Sequence, residues 1–339
     1  MAPKKLNVLF AASEIAPFIK TGGLADVASA LPRALSALGQ NVIAILPLYG
    51  SISLKGLKKT GITVRVEMDG RTYSSAIFEG KLDRKTKIYF LHQPALYGRP
   101  NPYGEGNVDY HDNDARFVFF NRAVFSFLRK LNFRPDVIHA NDWQCGLMPA
   151  YLKNTDDGFF EKTASVFSIH SLAYQGLFPK KSMSLTGLPK KLFGPEGLEI
   201  YGKLGMLKSG VVFADAVTAV SPTYAKEILT PDLGFGMQDV LGKRKKSLYG
   251  ILNGIDTKEW NPATDRHIPA NYSRKKLGGK AKCRAAFLKK AGLGNDLQKP
   301  LIGIVSRLIE QKGFDIVAAA SEKIMKDDFY LAALGTGQP

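Results

Sequence analysis

"SEIAPFIKTGGLADVASALPRAL", residues 13–35, follows a short apolar run, Val8–Ala12, and sets a lysine beside two glycines where a helical pattern begins. Leu24, Val27, Ala28, Leu31, Leu35 and Leu38 recur on one face of that pattern, which should end near Gly39. Pro32 lies inside it and is expected to kink the helix. A second apolar run, "NVIAILPL", follows. Strand, glycine turn, helix and strand in that order open a doubly wound parallel sheet, so this stretch sets the fold class as α/β. The turn itself is neither G-x-G-x-x-G nor G-x-x-x-x-G-K-[ST]. Free N–H groups and the helix dipole at such an end favour an anion, and absent Cβ atoms let it come close. The competing reading is that the glycines only make the turn and Lys20 is solvated.

The same alternation continues along the chain. "TVRVEM", "RTYSSAIFEG" and "KIYFLH" have strand character, with "MDGR" as a hairpin turn. A helix from about Asp114 to Lys130 leads to the strand in "PDVIHANDW", then a helix, then "ASVFSIHS", and "DAVTAVS" and "SLYGILNG" add two short buried strands. After Asn253 the pattern restarts: "PLIGIVSRL" as strand, "GFDIVAAASEKIMK" as helix, "FYLAALGTG" as strand. A lone β-α-β unit cannot bury both faces of its sheet, so a second doubly wound domain, present only in part, is expected. With 339 residues, two domains are the prior. The boundary is placed between 1–250 and 251–339.

Composition is that of a globular protein, 45% hydrophobic and 23% charged. No apolar run approaches the roughly 18 to 20 residues of a membrane span. "MAPKKLNVLF" enters a strand directly, which reads as a cytoplasmic protein without a signal peptide. Cys145 and Cys283 form no C-x-x-C pair, and five histidines show no metal spacing, so no metal or disulfide framework is expected. The net charge of +17 gathers in Lys243–Lys246 and Ser273–Gly292. No nucleic-acid motif accompanies it, and a solvated basic surface that attracts an anionic substrate is the preferred reading over nucleic-acid binding.

Ligands of open α/β sheets bind outside the carboxyl ends of the strands. Besides the opening turn, three motifs fall there. "HANDWQCG" places His139, Asp142 and Trp143 at a strand end, as a carboxylate–indole sugar platform or as a helix cap with a packed tryptophan. "SIHSLAYQG" ends a strand on His170, either a ligand contact or a structural group. "VSRLIEQKGFD" sets Arg307 and Lys312 around a helix start, a fork and a point charge suited to a diphosphate. "DND", Asp112–Asp114, resembles a metal-binding D-x-D, but its place before a helix favours capping. Cations for a diphosphate, polar groups for a sugar and no metal ligands point to a sugar-nucleotide transferase that stabilises its leaving group electrostatically. Because the motifs come from both halves, the ligand is expected between two domains.

"KTGGLADVASALP", "HANDWQ", "SIHSLAYQG", "AVSPTYAKEI", "NGIDTKEWNPATD" and "VSRLIEQKGFD" together resemble bacterial glycogen synthases and plant starch synthases, in consistent order from Val8 to Gly337. The resemblance implies the GT-B architecture, two Rossmann-like domains facing a cleft. It further implies transfer of glucose from ADP-glucose to the non-reducing 4-OH of an α-1,4-glucan with retention, in glycogen biosynthesis. Lys20, Gly22 and Gly23 match the loop facing the donor, Arg307 and Lys312 the diphosphate pair, and His170 the histidine at the reacting glucose. Asp142 and Asn253 match polar positions near the donor or acceptor sugar, with Glu14 and Asp26 as further candidates. His170, Arg307, Lys312 and Asp142 are the expected catalytic set. ADP-glucose and the glucan are the expected partners, with no cofactor, metal, nucleic acid or membrane. The family's E-P-C-G-L motif, a second T-G-G-like loop and a terminal helix have no match here. These residues alone are therefore expected to be nearly inactive, either as a truncated protein or as part of a longer chain. The alternative function is a non-catalytic glucan- or nucleotide-binding scaffold.

Overall fold

The computed structural model describes residues 4–106, 108–155, 158–308, 312–324, 326–335 and 337. Strands β1 (Asn7–Ala11) and β2 (Asn41–Pro47) are the two apolar runs that flank the opening turn, and all but their first residues are buried. Such continuous burial is what a parallel strand covered on both faces requires. Helix α1 (Gly23–Ala37) joins them. Its inward face carries Leu24, Ala25, Ala28, Ser29, Pro32 and Ser36, a smaller set than the expected leucine stripe, while Leu38 caps the helix and is 73% exposed. Small residues let the helix backbone lie close to the sheet. The helix runs unbroken through the buried Pro32.

β3 (Lys58–Met68) and β4 (Arg71–Lys81) form an antiparallel hairpin closed by Asp69 and Gly70. Both turn residues have positive φ, the geometry that matches the twist of the flanking strands. β4 pairs antiparallel with β5 (Lys87–His92), which lies parallel to β2. Helix α2 (Asn113–Leu131) presents Phe117, Phe120 and Phe127, each fully buried, to the core. Four more parallel strands follow: β6 (Val137–Asn141), β7 (Ala164–Ile169), β8 (Ala216–Ala219) and β9 (Leu248–Gly250). Helices α3 (Met148–Lys153), α4 (Met206–Phe213) and α5 (Pro222–Glu227) connect them.

The nine strands order as β9-β8-β7-β6-β1-β2-β5-β4-β3. From β1 the chain winds outward through β2 to β5, then returns to lay β6 on the other side of β1. The strand order therefore reverses between β1 and β6, the crevice where a doubly wound sheet takes its ligand.

The chain divides into two units, Met1–Gly254 and Ile255–Pro339. The second unit has helix α6 (Gly278–Lys290), then β10 (Leu301–Val305), helix α7 (Phe314–Ile324) and β11 (Tyr330–Leu334), with β10 parallel to β11. No helix among the described residues is long and apolar enough to cross a membrane.

Candidate functional site

The carboxyl ends of β1, β6 and β7 lie side by side at the reversal point, and each carries one candidate group. From β1 comes Glu14, 3% exposed. Its carboxylate accepts hydrogen bonds from the Thr21 amide, from the Thr21 hydroxyl at 2.7 Å, from the Gly22 amide at 3.3 Å and from the Tyr103 hydroxyl at 2.6 Å. The glycine turn is thus tied down by the chain's own anion on its inner side. The Tyr103 hydroxyl also meets Ser13 Oγ at 2.7 Å. Burial raises the Tyr103 pKa, and the Glu14 charge raises it further, so the phenol stays protonated and bonds the carboxylate.

Gly22 precedes α1 with φ −154°, an extended conformation open to any residue. A Cβ on Gly22 or Gly23 would meet nothing within 4 Å. Neither backbone strain nor packing within the chain calls for glycine at these two places. Both positions border open space at the start of α1. Lys20, beside them, pairs with Asp26 at 2.7 Å, two of the candidates brought together at the surface.

From β6 come Asn141 and Asp142. Asp142 has φ 53° and ψ −177°, a conformation that is costly for any residue but glycine. It turns the carboxylate toward β7, where Asp142 Oδ1 accepts from the His170 amide at 2.7 Å. His170 Nε2 lies 3.0 Å from Asn141 Oδ1. Burial pushes the Asp142 carboxyl above its usual range, His170 and the amides of His170 and Ser171 pull it back, and the Glu14 charge pushes it up again. Glu14, Asp142 and His170 therefore form one electrostatic cluster.

Behind them His139 Nε2 meets Ser168 Oγ at 2.7 Å, and Ser168 Oγ meets Thr218 Oγ1 at 2.6 Å, a file of polar groups across β6, β7 and β8. Burial, with His170 as neighbour, lowers the His139 pKa to about 3, so that ring is neutral.

Three expectations change. Trp143 is no sugar platform: it is 8% exposed, edge-on to Phe117 with ring centroids 4.8 Å apart. Its indole also covers Gly176, where a Cβ would lie 2.4 Å from the ring. His139 is not at the strand end but inside β6. Asp112 makes no capping bond; the Arg99 guanidinium grips both its oxygens at 2.6 and 2.7 Å, and that pairing holds the Asp112 carboxyl below its usual range against the opposing effect of burial.

The other candidates lie elsewhere. Asn253 is exposed, three residues beyond the end of β9 at Gly250. Arg307 follows β10 in the second unit, exposed, and Lys312 is exposed just ahead of Gly313 and α7. Gly313 has φ 75°, so glycine suits the turn itself there. Residues 309–311 between the two cations lie outside the described residues. Sequence reasoning missed Tyr103, Thr21 and Asn141. Tyr103 is 89 positions from Glu14, and no local pattern marks it.

The family described as "Starch synthase catalytic domain" matches residues 7–243. Glycogen synthase 2 of Geobacter sulfurreducens is 44% identical over 336 residues, 98% of this chain and 69% of the relative. Glycogen synthase of Anaeromyxobacter dehalogenans is 43% identical over 337 residues, 98% of this chain and 70% of the relative. Among solved structures, the catalytic domain of starch synthase IV from Arabidopsis thaliana, bound to ADP and acarbose, superposes with a TM-score of 0.91 at 31% identity. That match covers 99% of this chain and 69% of the other.

Proposed function

The chain belongs to the glycogen and starch synthase family of GT-B glycosyltransferases, and from that premise we propose that it moves glucose from ADP-glucose to the non-reducing 4-OH of an α-1,4-glucan with retention of configuration. The observation that carries the reading is the reversal point of the sheet. There Glu14, which holds the Gly22 amide ahead of α1, acts on the carboxyl of Asp142, and Asp142 in turn holds the His170 amide. A helix N-terminus suits a phosphate, and the carboxylate and imidazole suit sugar hydroxyls. The solved relative's binding of ADP and acarbose, a nucleotide and a carbohydrate, agrees in chemical class.

Each candidate then has a role. Lys20, Gly22 and Gly23 face the donor, and Arg307 and Lys312 neutralise the departing diphosphate. His170 meets the reacting glucose, while Asp142 and Asn253 bond hydroxyls of donor or acceptor. Asp26 sets the Lys20 ammonium, and Glu14 shapes the loop. An oxocarbenium-like sugar forms as the diphosphate leaves, and the acceptor hydroxyl attacks from the same face, its proton passing to a diphosphate oxygen. No covalent glycosyl-enzyme step is included. Protein cations and amides supply the electrostatic stabilisation, so the proposal requires no metal.

The test measures nucleotide release from ADP-glucose and from UDP-glucose, with and without glycogen, in the protein at its full encoded length. Release of ADP that needs glycogen, resists a chelator and is lost in Lys312→Ala is the expected result. No release from either donor would sink the transferase reading and leave a binding scaffold.

A further inference from the structure

Asn141 is 1% exposed and stands between two strand ends. Its Nδ2 lies 2.9 Å from the Ala11 carbonyl oxygen of β1 and 3.4 Å from that of His139. Carbonyl oxygens only accept, so the amide nitrogen must face them and Oδ1 must face the other way. Oδ1 is the atom 3.0 Å from His170 Nε2. Being an acceptor itself, it requires Nε2 to carry the hydrogen. In a neutral imidazole that leaves Nδ1 bare, and Nδ1 has no protein partner among the described residues.

The backbone explains how consecutive residues can both reach one histidine. Side chains along a strand alternate in direction, which would send Asn141 and Asp142 to opposite faces. The positive φ of Asp142 breaks the alternation. Asn141 then takes the ring and Asp142 takes the backbone amide of His170, so the histidine is held at two points. A strained non-glycine residue at a ligand crevice is the form that functional strain takes.

We propose that Asn141 is a positioning residue that locks His170 in its Nε2–H tautomer, presenting Nδ1 as an acceptor for a hydroxyl of the bound sugar. The assignment of the hydroxyl to a sugar rests on the transferase reading; the tautomer does not. A locked acceptor selects a donor hydroxyl in one orientation and spares the reaction the ring's reorientation, which is the benefit of a prearranged site.

The experiment uses the protein at its full encoded length with nitrogen-labelled histidine. Long-range proton–nitrogen correlation spectra above the histidine pKa identify the tautomer of each ring, and the signal absent in His170→Ala is that of His170. The expected result is Nε2–H in the unsubstituted protein, a shift toward Nδ1–H in Asn141→Ala, and Nε2–H again in Asn141→Asp, which keeps an acceptor facing the ring. Turnover in Asn141→Ala should fall on the order of tenfold to hundredfold, with the glucan KM little changed. An Nδ1–H ring in the unsubstituted protein overturns the proposal, even if Asn141→Ala fails to fold. So does an unchanged Nε2–H ring in a folded Asn141→Ala. An Nε2–H ring in a protein that releases no nucleotide would instead sink the transferase reading and leave the tautomer standing.

Discussion

The two units of this chain differ in how they treat apolar side chains. Every residue of the main buried core lies between Val8 and Leu241, in the first unit. In the second unit Leu288 is buried, yet Val305 is 80% exposed, Leu334 71% and Ile316 67%, although all three sit in regular strands or a helix. The first unit surrounds seven parallel strands and an antiparallel edge with helices, whereas the described residues of the second pair two strands, too few to enclose a core. Local pattern is enough to make strands and helices, while burial needs several of them packed together. Glu14, Asp142 and His170 are set in the packed frame of the first unit, whereas Arg307 and Lys312 of the second are exposed.

The sharpest way to break this comparison is to cut a side chain from each unit. Phe10→Ala removes a fully buried ring and should cost about 3–5 kcal/mol in urea unfolding of the first unit. Val305→Ala should change stability by less than about 0.5 kcal/mol. Equal costs would mean that Val305 is covered in solution.

Next is Glu14→Gln, which removes the carboxylate that holds the Thr21 and Gly22 amides. Hydrogen bonds to charged groups are worth about 1.5–3 kcal/mol, so those two amides should exchange much faster with deuterium while the amides of β10 keep their rates. Unchanged exchange at Thr21 and Gly22 would remove Glu14 from its role in shaping the loop.

Buried His139 gives the first unit a pH dependence. His139 keeps a folded pKa of about 3 against an ordinary 6.5. Below about pH 6.5 the unfolded chain takes up a proton that the folded chain refuses. The stability from the neutral ring is therefore complete above pH 6.5 and is lost as the pH falls toward 3. Between pH 7 and pH 5 the loss should be about 1–2 kcal/mol, seen as a lower urea midpoint, and His139→Asn should remove that part of the slope.

Smallest in stability, though not in function, is Lys20→Ala. The Lys20–Asp26 pair is exposed, with side chains 48% and 40% accessible, and breaking it should cost under about 0.5 kcal/mol. Donor affinity should nevertheless weaken by about tenfold, the scale of one charge-assisted contact. Nucleotide affinity equal to that of the unsubstituted protein would place the diphosphate away from the glycine turn.

Much of the fold was legible along the chain because strands and helices are local. "NVIAILPL" reads as a buried strand from its unbroken apolar run, and Asp69–Gly70 reads as a hairpin turn from its dipeptide; both stand in the structure. Leu38 misled, because helical spacing does not say where the helix ends relative to the sheet edge. Asp112 misled too, since a carboxylate ahead of a helix looks like a cap until Arg99 arrives from the preceding loop.

By itself, then, the sequence determined an α/β order, the glycine turn after the first strand, and His170 and Asp142 at or just past strand ends, all matters of neighbouring residues. The winding of the sheet brings β6 back beside β1, so that Asn141 spans to Ala11, 130 positions away, and Tyr103 closes on Glu14, 89 positions away. Tertiary packing alone sent Trp143 into the core and left Gly22 and Gly23 facing open space. The reason is physical: period and propensity act over a few residues, whereas a buried carboxylate or amide takes its partner from whatever strand the sheet's winding brings next to it.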